Sequence, residues 1–356
     1  MFKLRETLFE AFEANKTALS NVNTITVISS KSYHLDYLDG WRGIAIFLVL
    51  ASHFFQIDNI DLGRMGVDIF FVLSGMLMSN ILFVKRVPLI TFYKRRISRI
   101  IPAFFIFLSV ISFFGFIYDV SDEHNNYLYN ILFIRAYYPV FPDIQSSGLP
   151  LGHLWSLNIE EHVYILLSVI SFVYICKIRI CFTLLLMGIF SIVLQIIYVK
   201  FPYLSSDNYT FKTEVVASFL LLSAGYLLVK ESIEKFIPSW LPIVTFALSF
   251  VCYSDYSPHW SAQWVVAPFL LAFTVNHLNL LPPFTKKILS FPWLKYMGVW
   301  SFSIYLWQQP FYYWGTKNGE AFYMAGPILF IISVFIGFIS YYLIESPVRK
   351  YLNNNW

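Results

Sequence analysis

The sequence predicts an all-α polytopic membrane protein, a bundle of about ten transmembrane helices with both termini on the cytoplasmic side. Three observations carry that expectation. Hydrophobic residues make up 58% of the 356 residues and aromatic ones 20%, with 37 Phe, while charged residues are 13%, against roughly 25% in soluble globular domains. Several apolar runs reach the roughly 17 to 25 residues that cross a hydrocarbon core. The basic residues also segregate by side. This composition excludes a water-soluble enzyme, and a scattered net charge of +4 gives no basis for binding nucleic acid.

Residues 1–37 read as a cytoplasmic or interfacial arm. MFKLRETLFEAFEANKTALS has neither a continuous apolar stretch nor a small-residue cleavage site, so no signal peptide is expected. Its Phe and Leu spacing fits either an amphipathic helix on the membrane surface or a solvated arm. Ten candidate spans follow, at about 41–57, 65–84, 97–118, 160–177, 180–199, 212–230, 238–254, 262–277, 297–315 and 325–345. An even number places both termini on one side. If that side is the cytoplasm, 20 of the 25 Lys and Arg residues lie inside and only Arg64, Arg135, Lys200, Lys212 and Lys317 lie outside. The positive-inside rule reads that bias as N-in, C-in.

The longest outward loop, about 119–159, holds a half-apolar segment, YLYNILFIRAYYPVF, that reads as re-entrant or interfacial. No internal repeat or composition break divides the chain, so one transmembrane domain is expected over 38–352. Only SPVRKYLNNNW follows the last span, and no C-terminal soluble domain is expected. Cys176, Cys181 and Cys252 show no CxxC or metal-ligand spacing, so neither a disulfide framework nor a metal site is expected.

An ionisable group near the centre of a span costs roughly 2.5 to 3.5 kcal/mol on insertion scales, and each one invites a functional reading. His53 lies eleven residues after Arg42 in RGIAIFLVLASHFF, roughly 16 Å along a helix. N-in topology puts Arg42 near the cytoplasmic face and His53 in the outer half. A lone His on an apolar helix is more often a packing residue than a catalyst, but two other spans change that weighting. Asp68 in GRMGVDIFFVLSG and Glu160 and Glu161 in HLWSLNIEEHVY are expected at comparable outer depth. One imidazole with up to three carboxylates is what a general base and its orienting acid require. The same carboxylates also suit ordinary helix starts, where the dipole favours them.

KRRISR places Arg96 and Arg99 three residues apart on one helix face at the inner start of the third span, apt for a phosphate-bearing ligand. Lys94 reads as an anchor. Gln308, just before Pro310 in SFSIYLWQQPFYYW, suits a ligand hydrogen bond and the carbonyls freed by that proline equally well.

Six segments, LDGWRGIAIFLVLASHF, GVDIFFVLSG, RRISRIIPAF, HLWSLNIEEHVYIL, SFSIYLWQQP and YYLIESPVRKYL, occur in that order from residue 38 to 352. Together they resemble the membrane acyltransferase family 3, O-acyltransferases that modify surface polysaccharides and other extracytoplasmic molecules. The resemblance implies a ten-span domain and an Arg, ten residues, then an essential His, here Arg42 and His53. It also implies roles for Asp39, Asp68, Arg96, Arg99 and a glutamate after the WSL run, which Glu160 and Glu161 fit equally. Two departures stand out: Gln308 stands where WHxP is common, and His162 stands where EEQ is common. Some members carry an extra periplasmic hydrolase-like domain that passes the acyl group on.

On this resemblance the expected chemistry is acyl transfer from cytoplasmic acyl-CoA, most simply acetyl-CoA, to a hydroxyl of an extracytoplasmic glycan or lipid-linked sugar at a bacterial inner membrane. His53 is the expected general base, oriented by Asp68, Glu160 or Glu161, and an acyl-enzyme on His53 is the less favoured course. Asp39, Arg42, Arg96 and Arg99 are expected at the donor, and Trp155, Ser156, Tyr305 and Gln308 at the acceptor. The expected partners are the lipid bilayer, the glycosylated acceptor and, as an alternative to direct delivery, a separate transferase. A rival reading is a transporter or flippase for lipid-linked sugars with His53 and the carboxylates as a proton relay. An inactive scaffold presenting a groove is a third.

Overall fold

Every regular element among the residues described is a helix, as the long apolar runs require once backbone groups must be satisfied away from water. The computed structural model describes residues 36–55, 57–118, 126–137, 149–174, 176–205, 209–256, 261–317 and 320–356. Residues 1–35 of the expected arm and, in the outer loop, 119–125 and 138–148 lie outside them.

In chain order the helices are α1 Asp36–Phe54, α2 Leu62–Ser79, α3 Leu89–Ile117, α4 Asn126–Ile131, α5 Trp155–Val173, α6 Lys177–Lys200 and α7 Thr213–Leu227. They continue with α8 Lys230–Glu234, α9 Leu241–Cys252, α10 Ala267–Asn276, α11 Pro283–Leu289, α12 Pro292–Lys317, α13 Glu320–Ser340 and α14 Ser346–Asn355. Starts follow ordinary capping chemistry. The Asp61 carboxylate accepts from the Arg64 backbone N–H at 2.9 Å to open α2, and proline stands in the first turn of α9, α10, α11 and α14, where its missing N–H costs nothing.

Each of the ten segments read from the sequence falls on a helix. Five stretches are long and apolar enough to cross a membrane by themselves: Leu62–Val84, Leu89–Ile117, Gly152–Val173, Lys177–Lys200 and Ala325–Asn355. Two more, Leu241–Cys252 and Ala262–Asn276, are apolar but shorter, and α1 carries Asp36, Asp39 and Arg42 within its own bounds. Phe116, Phe172, Phe182 and Leu343 stand exposed on outward faces, a surface suited to lipid rather than water. The three cysteines are unpaired.

Helix α7 is buried along nearly its whole length and packs against α2, α5, α6 and α10. α12 lies on α13, and α14 lies on α3. In lipid there is little hydrophobic drive between helices, so small residues that let backbones touch decide which helices pair. A Cβ at Gly298 of α12 would fall 1.7 Å from the Asp39 carbonyl oxygen of α1, and one at Gly43 would fall 2.0 Å from the Leu294 carbonyl oxygen. Arg42 of α1 meets Ser301 of α12 and His53, eleven residues on, meets Gln308, so α1 and α12 run side by side in one direction. That contact sets the depth of every polar group the two helices share.

Candidate functional site

The pairing of α1 with α12 brings two of the expected residues onto new partners. Near the start of α1, Arg42 donates from Nη2 to Ser301 Oγ at 3.0 Å. Near its end, His53 Nδ1 lies 2.7 Å from Gln308 Oε1, and the ring stacks on Tyr312 with centroids 4.2 Å apart and planes 14° from parallel. Gln308 Nε2 donates in turn to Gln309 Oε1 at 3.1 Å. An amide whose nitrogen is so engaged offers its oxygen to His53, so Nδ1 carries the imidazole proton and Nε2 keeps a lone pair. His53 Nε2 makes no hydrogen bond among the described residues. The ring stands on the wall of a cavity of about 510 Å³ that also takes in Asp61, Arg64, His153, Trp155 and Gln309. Gln308 thus bonds His53 and Gln309 rather than the carbonyls freed by Pro310.

Asp68 is fully buried, but it does not orient His53. Arg64 Nε, one turn earlier on α2, donates to both carboxylate oxygens at 3.0 Å, and the Tyr253 hydroxyl donates to Oδ2 at 2.8 Å. An antiparallel bridge between Ile60 and Ser254 ties the start of α2 to the end of α9 and delivers Tyr253 to this spot. The Arg64 guanidinium lies 4.3 Å from the Trp264 ring centroid and 5.2 Å from that of Trp155, and its Nη1 bonds the Thr210 carbonyl at 3.0 Å. Asp68 thus anchors an arginine that forms part of the cavity wall.

Glu160 and Glu161 are not beside His53 either. Arg96 Nη2 donates to Glu160 at 2.8 Å and Arg96 Nε to Glu161 at 3.2 Å, while Ser74 Oγ donates to the other oxygen of Glu160 at 2.8 Å. The guanidinium also lies 3.8 Å from the Tyr164 ring centroid. The expected outer layer of one histidine and three carboxylates is corrected by where the helices begin. α5 starts at Trp155 rather than near 160, sinking the glutamates roughly 8 Å along the axis. α3 starts at Leu89 rather than near 97, carrying Arg96 roughly 10 Å inward to meet them. Each charge is tolerated at that depth because it is paired and hydrogen-bonded.

The remaining expected residues fall around two further cavities. A narrow space of about 100 Å³ is bordered by Arg42, Arg96, Arg99, Ser156, Glu160 and Tyr305. Across it Ser156 Oγ and Tyr305 OH lie 2.7 Å apart, and the Tyr305 hydroxyl donates to the His153 carbonyl at 2.7 Å. Beyond lies a space of about 600 Å³ walled by Lys94, Arg95, Arg96, Arg99, Arg349 and Asn353. Arg96 and Arg99 border both of these spaces, and Val67 and Tyr305 border both the narrow one and the His53 cavity. The three adjoin in a row. Arg99 makes no hydrogen bond or ion pair among the described residues, so the two arginines of the (i, i+3) pair differ in kind. Asp39 borders none of the three cavities; it sits one turn before Arg42, its carbonyl against Gly298.

Sequence reasoning missed Ser301, Gln309, Tyr312, Arg64, Tyr253 and Trp264. Arg64 stands four residues before Asp68, a spacing that marks an ion pair on a helix, and Gln309 adjoins Gln308. The other four carry no local signal. Among the described residues, no three His, Cys, Asp or Glu side chains gather as a metal set.

The family model described as an acyltransferase domain matches residues 35–345. The O-acetyltransferase OatA of Staphylococcus aureus is 26% identical, the alignment covering 90% of this chain and 58% of that protein. The peptidoglycan O-acetyltransferase OatA of Listeria monocytogenes is 27% identical, covering 88% and 55% respectively. The chain therefore spans little more than half the length of these curated relatives. No solved structure matches it.

Proposed function

Because this chain belongs to the acyltransferase domain family, whose model covers nearly all of it, we propose that it is an integral-membrane O-acyltransferase. It moves an acyl group, most simply acetyl, from acyl-CoA to a sugar hydroxyl of a cell-surface glycan. The name of the Listeria relative makes peptidoglycan the first acceptor to test. In the membrane the chain crosses ten times, N-in and C-in, a topology supported by the helix on each of ten segments and by the 20 basic residues placed inside against five outside.

One observation carries the reading: His53 is fixed through Nδ1 by Gln308 at 2.7 Å, with Nε2 left as a base on a cavity that adjoins, through a narrow neck, a space lined by five cationic side chains. The cationic space suits the phosphates of CoA, with Arg99, Lys94 and Arg95 as the donors. Arg42, Ser156 and Tyr305 line the neck through which a slender pantetheine arm would extend. The acceptor hydroxyl gives its proton to His53 Nε2 as its oxygen bonds the thioester carbonyl carbon. When the C–S bond breaks, that proton passes to sulfur and CoA leaves as the thiol. A transporter has less support, because His53 bonds a neutral amide rather than a carboxylate that would relay a proton.

The test is purified protein in proteoliposomes with isotopically labelled acetyl-CoA and soluble peptidoglycan fragments. The expected product is an acceptor heavier by one acetyl group, and its absence with every hydroxylated acceptor offered, together with no hydrolysis of acetyl-CoA, would remove this reading. Reporter fusions in the loops after α2 and α5 test the topology independently.

A further inference from the structure

Acyl transfer needs a hydrogen-bond donor for the carbonyl oxygen as it becomes an oxyanion, and such a donor is often the largest single contribution to the rate. We propose that the side-chain amide of Gln309 is that donor. The proposal rests on the acyl-transfer reading of the His53 cavity and assigns a further catalytic residue to it.

Gln309 is 2% exposed, and a buried amide ordinarily has all its polar groups bonded. Its Oε1 accepts from Gln308 Nε2 at 3.1 Å. Its own Nε2, with two N–H groups, makes no hydrogen bond among the described residues, and Gln309 stands on the wall of the same cavity as His53. Of the other donors around the passage, Arg64 Nη2 and the His153 ring also lack a partner among the described residues, but neither is tied to the base as Gln309 is through Gln308, and several more are committed. The Tyr305 hydroxyl gives its proton to the His153 carbonyl, which leaves Ser156 to donate to Tyr305, and Arg64 Nε and Nη1 serve Asp68 and Thr210.

Placement follows from the helix. Successive residues of α12 lie about 100° apart around its axis, so Gln308 turns its amide to α1 and His53 while Gln309 presents the next face. The Gln308–Gln309 bond locks both rotamers. A single chain of contacts, His53 Nδ1 to Gln308 to Gln309, therefore positions the base and an N–H donor together before substrate arrives, so neither need reorganise during the reaction.

The step balances. The acceptor oxygen bonds the carbonyl carbon, its proton goes to His53 Nε2, and the C=O π pair moves onto the carbonyl oxygen, which accepts from Gln309 Nε2. Return of that pair re-forms the carbonyl, breaks the C–S bond, and sends the His53 proton to sulfur.

Gln309→Met removes the donor at similar volume. Gln309→Glu keeps an oxygen for Gln308 Nε2 and loses the free N–H groups. Both should lower kcat for acetyl transfer roughly 10² to 10³-fold while leaving KM for acetyl-CoA within roughly two-fold, and Gln309→His, which restores a ring N–H, should recover part of the loss. If Gln309→Met does not yield a monodisperse protein, Gln309→Glu decides. A wild-type protein that neither transfers nor hydrolyses acetyl-CoA sinks the acyl-transfer reading itself. A wild-type protein that transfers, beside a folded Gln309→Met or Gln309→Glu variant with kcat within roughly three-fold of it or a loss confined to KM, overturns the assignment to Gln309 alone.

Discussion

Arg96 bridges α3 and α5 by donating to Glu160 at 2.8 Å, with Glu161 on its Nε at 3.2 Å, whereas Arg99, one turn along the same helix face, is bonded to no described residue. Two guanidinium groups that look equivalent in the sequence therefore do different work. Arg96→Ala leaves two largely buried carboxylates uncompensated and should cost about 3 to 5 kcal/mol, read as a fall in thermal midpoint in detergent. Arg96→Lys should not restore it, because an ammonium cannot reach both glutamates as a fork does. Arg99→Ala should leave the midpoint near wild type and raise KM for acyl-CoA about ten-fold, the loss of one charge-assisted hydrogen bond. Equal losses of stability in the two alanine variants would remove the distinction.

The approach of α1 to α12 makes a separate prediction. At Gly298 a methyl group would meet the Asp39 backbone at 1.7 Å, and backbone cannot step aside as a side chain can. Gly298→Ala should therefore push the helices apart, cost about 3 kcal/mol, and lengthen both the Arg42–Ser301 and His53–Gln308 contacts, so transfer should fall even in protein that remains folded. Gly188→Ala is the control: the two nearest atoms there belong to the Leu222 side chain, at 2.7 and 2.8 Å, and a side chain can shift where a backbone cannot. Thermal melts and transfer rates of the two variants check this, and a Gly298→Ala protein as active as Gly188→Ala would count against it.

Much of this arrangement was legible beforehand, and what was not has a physical cause. Apolar runs located the helices because composition alone reports burial in lipid. His53 and Arg42 were found because a polar group inside such a run is costly. Depth was misjudged for Glu160, Glu161 and Arg96, because hydropathy marks where a run becomes apolar rather than where the helix begins, and mutual pairing lets a helix carry charge inward. The orienting partner of His53 lies 255 residues away in sequence, on a helix chosen by glycine contacts that leave no periodic signal, so a carboxylate was expected where an amide stands.

The Arg64–Asp68 pair offers a test of what Asp68 does. With Arg64 and Tyr253 both donating to it, Asp68→Ala strands a buried guanidinium and should cost about 3 to 5 kcal/mol. Arg64→Met combined with Asp68→Leu, which removes both charges at similar bulk, should recover a large part of that loss. The non-additivity is the signature of direct contact. Chemical denaturation of the two single variants and the double variant measures it. A single Asp68→Ala protein of normal stability but abolished turnover would instead return Asp68 to a direct part in catalysis.

The tautomer of His53 is the most specific prediction. Gln308 Oε1 can only accept, so it holds the proton on Nδ1 and leaves Nε2 basic; Gln308→Met removes that acceptor at similar size and frees the proton to occupy either nitrogen. His53→Ala should abolish transfer with little change in insertion or stability, since it takes one polar group out of an apolar helix and strands no charge. Gln308→Met should lower kcat about 100-fold, within the range that general base catalysis contributes, with stability changed by no more than about 1 kcal/mol for the lost hydrogen bond. Gln308→Glu keeps an accepting oxygen in place and should retain more activity than Gln308→Met. Nitrogen-15 spectra of protein labelled at histidine report the tautomer directly: a protonated Nδ1 in wild type and Gln308→Glu, and a mixture in Gln308→Met. A Gln308→Met protein with the wild-type rate and an unchanged His53 signal would show that the 2.7 Å contact packs the helices and does not prepare the base.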